Sequence, residues 1–419
     1  MSFLIPLFFL FILSGASYRR FIDRRLQARI MDAQENEQTS VILLYDEKDT
    51  HLEEAIKEHG GKIKYRLDII QGFAVDLPCK CVEKLVRIPG VTFIADDAKL
   101  STLMDIARPT VGGTIAEESN LTGQGIGIAV LDTGVYPHAD LSLGTNRIVA
   151  FKDFVNEKEF PYDDNGHGTH VAGIAAGNGY MSEGKYKGMA PKANILGVKV
   201  MDKNGSGTTS DIVAGMQWAW ENRNRYNIRI VSLSIGSDPD LKAAEDPLVK
   251  GVEALWDGGI VVVTAAGNSG PGKRTINSPG ISQKIITVGA TDTRSTIDRK
   301  DDIIAKFSSR GPTGENILKP DIVAPGVNIT SLNSDIDFIP EKSTKRYRFK
   351  KMTEPYKEMS GTSMATPIVS GAIALLLENQ EQLTPDEVKA KLMDTAISVN
   401  DRDYAQGKGQ INIGKIIKK

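Results

Sequence analysis

From about residue 121 onward one pattern recurs along the chain: short apolar, β-branched runs with helical-looking stretches between them. The runs lie at 127–131, 195–200, 228–235, 260–266 and 285–288. Strands alternating with helices predict an α/β fold, a doubly wound parallel sheet covered on both faces. The segment before it has another texture. Strands are expected at 41–45, 62–67, 72–77 and 91–95, and helices at 51–59, closed by Gly60-Gly61, and at 79–87. That β-α-β-β-α-β order is the small ferredoxin-like α+β arrangement, with its folded part at about 40–103.

Length and composition change this picture little. A chain of 419 residues, 41% hydrophobic and 25% charged, is a soluble globular protein long enough for two folded units. A net charge of −2 argues against a nucleic-acid partner. Cys79 and Cys81 are too few for a disulfide framework and read as ordinary thiols. Between Asp335 and Glu358 a polar, charge-rich stretch reads as a solvated surface loop.

The first 20 residues form a separate apolar segment. Its run at 3–13 is too short for a membrane span and suits a signal-peptide core, with small residues at Ser14-Gly15-Ala16. Arg19, Arg20, Arg24 and Arg25 follow the run and no Lys or Arg precedes it, an order that opposes export. Secretion is the expectation, a cytoplasmic protein with an apolar tail the alternative; no stable membrane span is expected.

Three segments carry chemistry: Asp132-Thr133-Gly134, Asn165-Gly166-His167-Gly168-Thr169-His170 and Gly361-Thr362-Ser363-Met364-Ala365-Thr366-Pro367. They offer a carboxylate, an imidazole and a hydroxyl in glycine-rich settings. A serine hydroxyl is a poor nucleophile until a base takes its proton. An imidazole can take and return that proton while a carboxylate fixes its tautomer. Asp132 should sit at a strand's carboxyl end, where ligands bind in such sheets. His167 and Ser363 each open a helix, and Pro367 falls in the first turn of the second. His170 reads as a structural partner on its helix, and Asp164 as a solvated loop aspartate.

On these motifs, in this order, the region 120–419 resembles the subtilisin-like serine proteases of the subtilase family, most nearly the bacterial AprX-type branch. The resemblance implies a serine endopeptidase with Asp132 as orienting carboxylate, His167 as general base and acid, and Ser363 as nucleophile. It implies Asn268, in Ala265-Ala266-Gly267-Asn268-Ser269-Gly270, as oxyanion donor, and no cofactor for the chemistry. Gly205, Ser206 and Gly207 resemble one edge of the substrate cleft, and Ser234, Ile235 and Gly236 the other. The latter, with Ala265, Ala266 and Gly267, would flank a primary pocket for large uncharged P1 side chains. Ser308-Ser309-Arg310-Gly311-Pro312 is expected to act as scaffold.

The first α/β unit, 21–103, resembles the family's propeptide, an intramolecular inhibitor. That likeness implies a self-processing zymogen with Leu100 and Leu103 at P4 and P1, cut between Leu103 and Met104 to leave a peptidase domain of 104–419. Partners are then protein or peptide substrates. Asp140, in Pro137-His138-Ala139-Asp140-Leu141, matches a calcium-binding position of many relatives, although the loop at 177–188 departs from the pattern. A lipase or esterase reading fails, because no second glycine follows Ser363 as a nucleophile elbow requires and the chain order differs. A catalytically inactive peptide-binding protein on the same scaffold remains the alternative.

Overall fold

The computed structural model describes residues 21–22, 26–27, 30–31, 33, 37–46, 51–67, 70–96, 104–238, 242–340 and 352–417. The chain divides into two compact units, Met1–Leu100 and Ser101–Lys419.

In the first unit, strands β1 (Gln38–Tyr45), β2 (Lys62–Leu67), β3 (Gly72–Pro78) and β4 (Val91–Asp96) form one sheet in the order β2-β3-β1-β4. All three pairings are antiparallel. Along β1 alternate residues, Thr39, Val41, Leu43 and Tyr45, are buried, the period-2 signature of a sheet with one covered face. Leu52 and Ile56, one helical turn apart in the helix Leu52–Glu58, cover that face together with Val82 and Leu85 of the helix Val82–Leu85. The unit has the expected ferredoxin-like order. Cys79 and Cys81 are buried, unbridged thiols in a short 3-10 turn.

The second unit is built on an eight-stranded sheet. Its strands are β5 (Gly127–Asp132), β6 (Ile148–Asp153), β7 (Asn194–Lys199), β8 (Ile228–Leu233), β9 (Val261–Ala265), β10 (Ile286–Asp292), β11 (Ile303–Ile304) and β12 (Ile322–Pro325). They lie in the order β11-β10-β9-β8-β5-β7-β6, with β12 also pairing with β10. Every pairing is parallel except β10 with β11. β5 is buried at all six positions and lies between β7 and β8. From β5 the chain winds out to one edge, then returns to build the other half from β8. This reversal leaves a crevice at the carboxyl end of β5, where α/β sheets bind ligands. Two helix pairs complete the doubly wound layers: Thr209–Tyr226 with Pro247–Asp257, and His167–Ala176 with Thr362–Asn379.

The helix Thr362–Asn379 is buried around nearly its whole circumference through Leu377, which is why its sequence is apolar on every side. It begins at Thr362, so Pro367 is its sixth residue, in the second turn rather than the first. A proline there removes the N–H that would bond the Ser363 carbonyl. The polar stretch 335–358 also departs from expectation. Residues 341–351 lie outside the described residues, but β14 (Tyr356–Met359) pairs antiparallel with β13 (Ile329–Leu332). No apolar alternation announced β14; side chains from other segments hold it in place. No helix among the described residues is long and apolar enough to cross a membrane.

Candidate active site

Asp132 is the last residue of β5 and is wholly buried. Its Oδ1 accepts hydrogen bonds from the Thr133 N–H and from His167 Nδ1, each at 2.7 Å. His167 is the first residue of its helix. Gly168 makes the close approach feasible: a β-carbon there would stand 2.1 Å from the Gly134 carbonyl oxygen and 3.0 Å from Asp132 Cβ. With Nδ1 donating to the carboxylate, Nε2 is the nitrogen left to accept a proton. Burial works to lower the imidazole pKa, but the charge and hydrogen bond of Asp132, helped by Asp163, outweigh it and raise the pKa above its ordinary value.

Asp163 was missed by sequence reading. Its buried carboxylate accepts five hydrogen bonds, from Thr133 Oγ1, the N–H groups of Asn165, Gly166 and Thr169, and Thr169 Oγ1, at 2.7–3.1 Å. It thereby ties the turn before His167 to the residue after Asp132. An acidic residue four positions before His167, leading into a helix N-terminus, was the available signal. Asp164 differs from the solvated loop residue expected: its Oδ1 pairs with Lys199 Nζ at 2.7 Å. Lys199 is wholly buried at the end of β7 and also donates to the Thr133 and Met201 carbonyls, at 2.6 and 2.8 Å. One ammonium thus joins the Asp132 turn, the segment before His167 and the start of the cleft edge.

Ser363, the second residue of its helix, and His167 line the same cavity of about 460 Å³. Ser363 Oγ donates to the Ser234 carbonyl at 3.1 Å, and Ser234 Oγ donates to the Ser363 carbonyl at 2.9 Å. Asn268 lines the cavity as well. Its Oδ1 accepts from the Thr362 N–H and Oγ1, at 2.9 and 3.0 Å, which leaves Nδ2 as the donor available to a ligand. The cavity therefore gathers a carboxylate-held imidazole, a hydroxyl at a helix N-terminus and an anchored amide, the groups that acyl transfer uses.

Of the other residues singled out, Gly205, Ser234, Ile235, Gly236, Ala265 and Gly267 line this cavity. Gly205, Ser206 and Gly207 border an adjoining hollow of about 250 Å³ with Met201, Ile212, Met216 and Leu248. Ala266 is brought to neither. Its methyl is buried with Val249, Ile276 and Ile281, because successive residues of an extended segment face opposite ways. Asn277, another lining residue, was not foreseen. The Ser308–Ser309 segment supports the Asn268 loop: the Ser309 N–H bonds the Gly267 carbonyl, and Ser309 Oγ accepts from the Ser269 N–H. Leu100 and Leu103 lie outside the described residues, and Met104 opens the helix Met104–Thr110.

His170 is wholly buried and bonds through Nε2 to the Ile329 and Lys357 carbonyls, at 3.1 and 2.9 Å. Burial pushes its pKa down to about 3. It holds both strands of the β13–β14 pair. The Asp140 carboxylate is held by protein donors: its Oδ1 accepts from the Met181 N–H at 3.0 Å and its Oδ2 from the Tyr356 hydroxyl at 2.8 Å. Calcium needs six to eight oxygens, and no group of three or more His, Cys, Asp or Glu among the described residues could hold a metal ion.

Comparison with known proteins agrees with this architecture. Residues 123–409 match the model of the subtilase family. The serine protease AprX of Bacillus subtilis (strain 168) is 44% identical over 366 residues, 85% of this chain and 81% of that protein. An alkaline protease of Alkalihalobacillus alcalophilus is 32% identical over 387 residues, covering 90% and 88%. The crystal structure of a cold adapted subtilisin-like serine proteinase superposes with a TM-score of 0.53 at 31% identity, over 70% of this chain and 89% of the other. With sheet, motif order and these likenesses in agreement, the chain belongs to the subtilase family of serine endopeptidases.

Proposed function

We propose that the protein cleaves peptide bonds through an acyl-enzyme on Ser363. The observation that carries this is the 2.7 Å bond between His167 Nδ1 and Asp132 Oδ1 in a cavity that also exposes Ser363. Ser363 Oγ turns from the Ser234 carbonyl toward His167 Nε2, gives up its proton and attacks the scissile carbonyl. Asn268 Nδ2 and the Ser363 N–H, unpaired at the helix start, stabilise the oxyanion. His167 then returns the proton to the leaving amine, and water reverses the sequence. Asp132 keeps the imidazole oriented and stabilises its cation.

An extended substrate fits between the Gly205–Ser206–Gly207 edge and the Ser234–Ile235–Gly236 edge, adding main-chain hydrogen bonds. Among the described residues no Lys, Arg, Asp or Glu lines the cavity, which favours large uncharged P1 side chains. The first unit, ferredoxin-like by its strand order, serves as an intramolecular inhibitor that the enzyme removes itself by cutting between Leu103 and Met104. Export is the favoured destination: one relative, 29% identical over 90% of this chain, is named a minor extracellular protease.

Casein hydrolysis by wild type beside Ser363→Ala tests the reading. Loss of both casein cleavage and propeptide removal in a folded variant is expected. Retention of either activity would refute Ser363 as the nucleophile. N-terminal sequencing of the mature protein locates the cut, and a first residue far from Met104 removes that assignment.

A further inference from the structure

A hollow of about 850 Å³ lies apart from the catalytic cavity and has no described lining residue in common with it. Arg147, Lys187 and Lys192 line it, against the single carboxylate of Glu117. Arg147 is 5% exposed, yet its guanidinium bonds only neutral oxygens. Nη1 donates to the Ala176 and Ala193 carbonyls, and Nη2 to the Asp140 carbonyl. A guanidinium has five N–H donors, so the Nε–H and one Nη2–H are left without a protein acceptor. Burial pushes its pKa down to about 10, and the Asp140 charge recovers only part of that loss. A buried cation is costly unless a counter-ion pairs with it.

The carboxylates around the hollow are already engaged. Glu117 pairs with Lys187 at 2.6 Å and with Arg108 at 3.2 Å. Glu378, behind Thr122, accepts from the Thr122 and Gly123 N–H groups at 2.6 and 2.7 Å. Asp140 accepts from Met181 and Tyr356. The exposed Lys192 ammonium has no carboxylate within ion-pair distance among the described residues. The Thr145 hydroxyl and Asn194 amide on the same walls carry no side-chain hydrogen bond among those residues either. Donors and positive charge thus outnumber the acceptors available to them.

We infer that this hollow binds a multiply charged oxyanion of the phosphate class, between the two unused N–H groups of Arg147 and the ammoniums of Lys187 and Lys192. A guanidinium meets a phosphate through paired N–H donors, and each lysine adds a point charge. A singly charged carboxylate would satisfy Arg147 and leave the lysines unmatched. The bound ion would join the segments 143–147 and 187–194, so binding stabilises the folded chain.

The test uses the full-length Ser363→Ala protein, which does not digest itself, with sodium phosphate as probe. Equilibrium dialysis should find saturable phosphate binding with a Kd of about 1 mM or tighter. Phosphate should also raise the melting temperature above that in sodium chloride of equal ionic strength. In Lys192→Glu the affinity should fall about tenfold or more, and the thermal gain should shrink with it. Lys192→Gln, which removes the charge without adding another, should show the same loss if the glutamate disturbs the fold. Absence of saturable binding overturns the inference. An equal thermal gain in the folded variants also overturns it, since phosphate then acts as a general salt. Acetate bound as tightly as phosphate would overturn the assignment to a multiply charged ion. No outcome bears on peptide cleavage.

Discussion

Ser234 and Ser363 exchange hydrogen bonds, each hydroxyl donating to the other's backbone carbonyl, at 2.9 and 3.1 Å. The Ser363 carbonyl accepts a side chain because Pro367, four residues on, has no N–H to offer it. A missing helical donor and a strand-end serine thus combine to fix the first turn on which the nucleophile stands.

Ser234→Ala should therefore lower kcat about 2–10-fold with little change in KM, the range of one neutral hydrogen bond of about 0.5–1.5 kcal/mol. Pro367→Ala restores a helical donor to the Ser363 carbonyl. The double variant should then lose less than Ser234→Ala alone, and a double-mutant cycle in kcat measures that coupling. Simple additivity would separate the two residues.

Asn268 presents its Nδ2 because Thr362 occupies its Oδ1 twice. Asn268→Leu keeps the size and removes the donor. A fall in kcat on the order of 10²–10³-fold is expected, the range set by the corresponding donor in subtilisin itself. Thr362→Val should cost less, since the Thr362 N–H still anchors the amide. Steady-state kinetics on one peptide check both.

The buried Lys199 ammonium serves Thr133, Asp164 and Met201 at once. Removing it in Lys199→Met strands the Asp164 carboxylate and two carbonyls, and should destabilise the domain by about 3–5 kcal/mol. Asp164→Asn, which keeps an acceptor for the ammonium, should cost less. Denaturant melts of both variants in a Ser363→Ala background, which prevents self-digestion, measure the difference.

Much of this was legible before any coordinate. The strands were, because Val- and Ile-rich runs at 127–131 and 260–266 have few alternatives to a buried sheet. Asp132, His167 and Ser363 stood out through glycine-rich context. What escaped reading depends on contacts across the fold. Nothing local shows that Lys199 reaches Asp164, 35 residues away, or that Tyr356 reaches Asp140, 216 residues away. Asn277 drew no notice in the sequence because what places it, Gly236 and Gly267, lies on separate strand ends. β14 has no apolar alternation to announce it; His170 and His138 hold that region through the Lys357 and Pro355 carbonyls.

The pH dependence separates into activity and stability. His167 must be neutral to act as base, and its pKa is raised, so kcat/KM should fall with decreasing pH through a midpoint above about 6.5. A midpoint well below 6 would remove the Asp132 interaction as its determinant. His170 acts on stability in the same direction, although its pKa is shifted the opposite way. Its folded pKa, about 3, lies below that of the unfolded chain. The unfolded state therefore gains a proton first, and stability should be lost progressively as pH falls from about 6.5 toward 3. Asp302, pushed by burial up to about 6, opposes this trend between about pH 6 and 4. The His170 contribution is thus read from the difference between wild type and His170→Asn, whose stability should decline less steeply with acid.

Asp140 makes the last prediction. Its carboxylate is closed by the Met181 N–H and the Tyr356 hydroxyl, and the carbonyl of the same residue receives the Asn178 N–H and an Arg147 guanidinium. These protein donors tie together the segments at 138–147, 177–188 and 355–359. A chelator should consequently leave the melting temperature of the Ser363→Ala protein unchanged. Tyr356→Phe, which deletes one hydroxyl and leaves a buried carboxylate oxygen unpaired, should lower stability by about 1–3 kcal/mol. Calorimetry with and without chelator, on both proteins, separates the two causes. A large chelator-induced drop in the wild-type background would mean that an ion, and not the tyrosine, holds this corner of the fold.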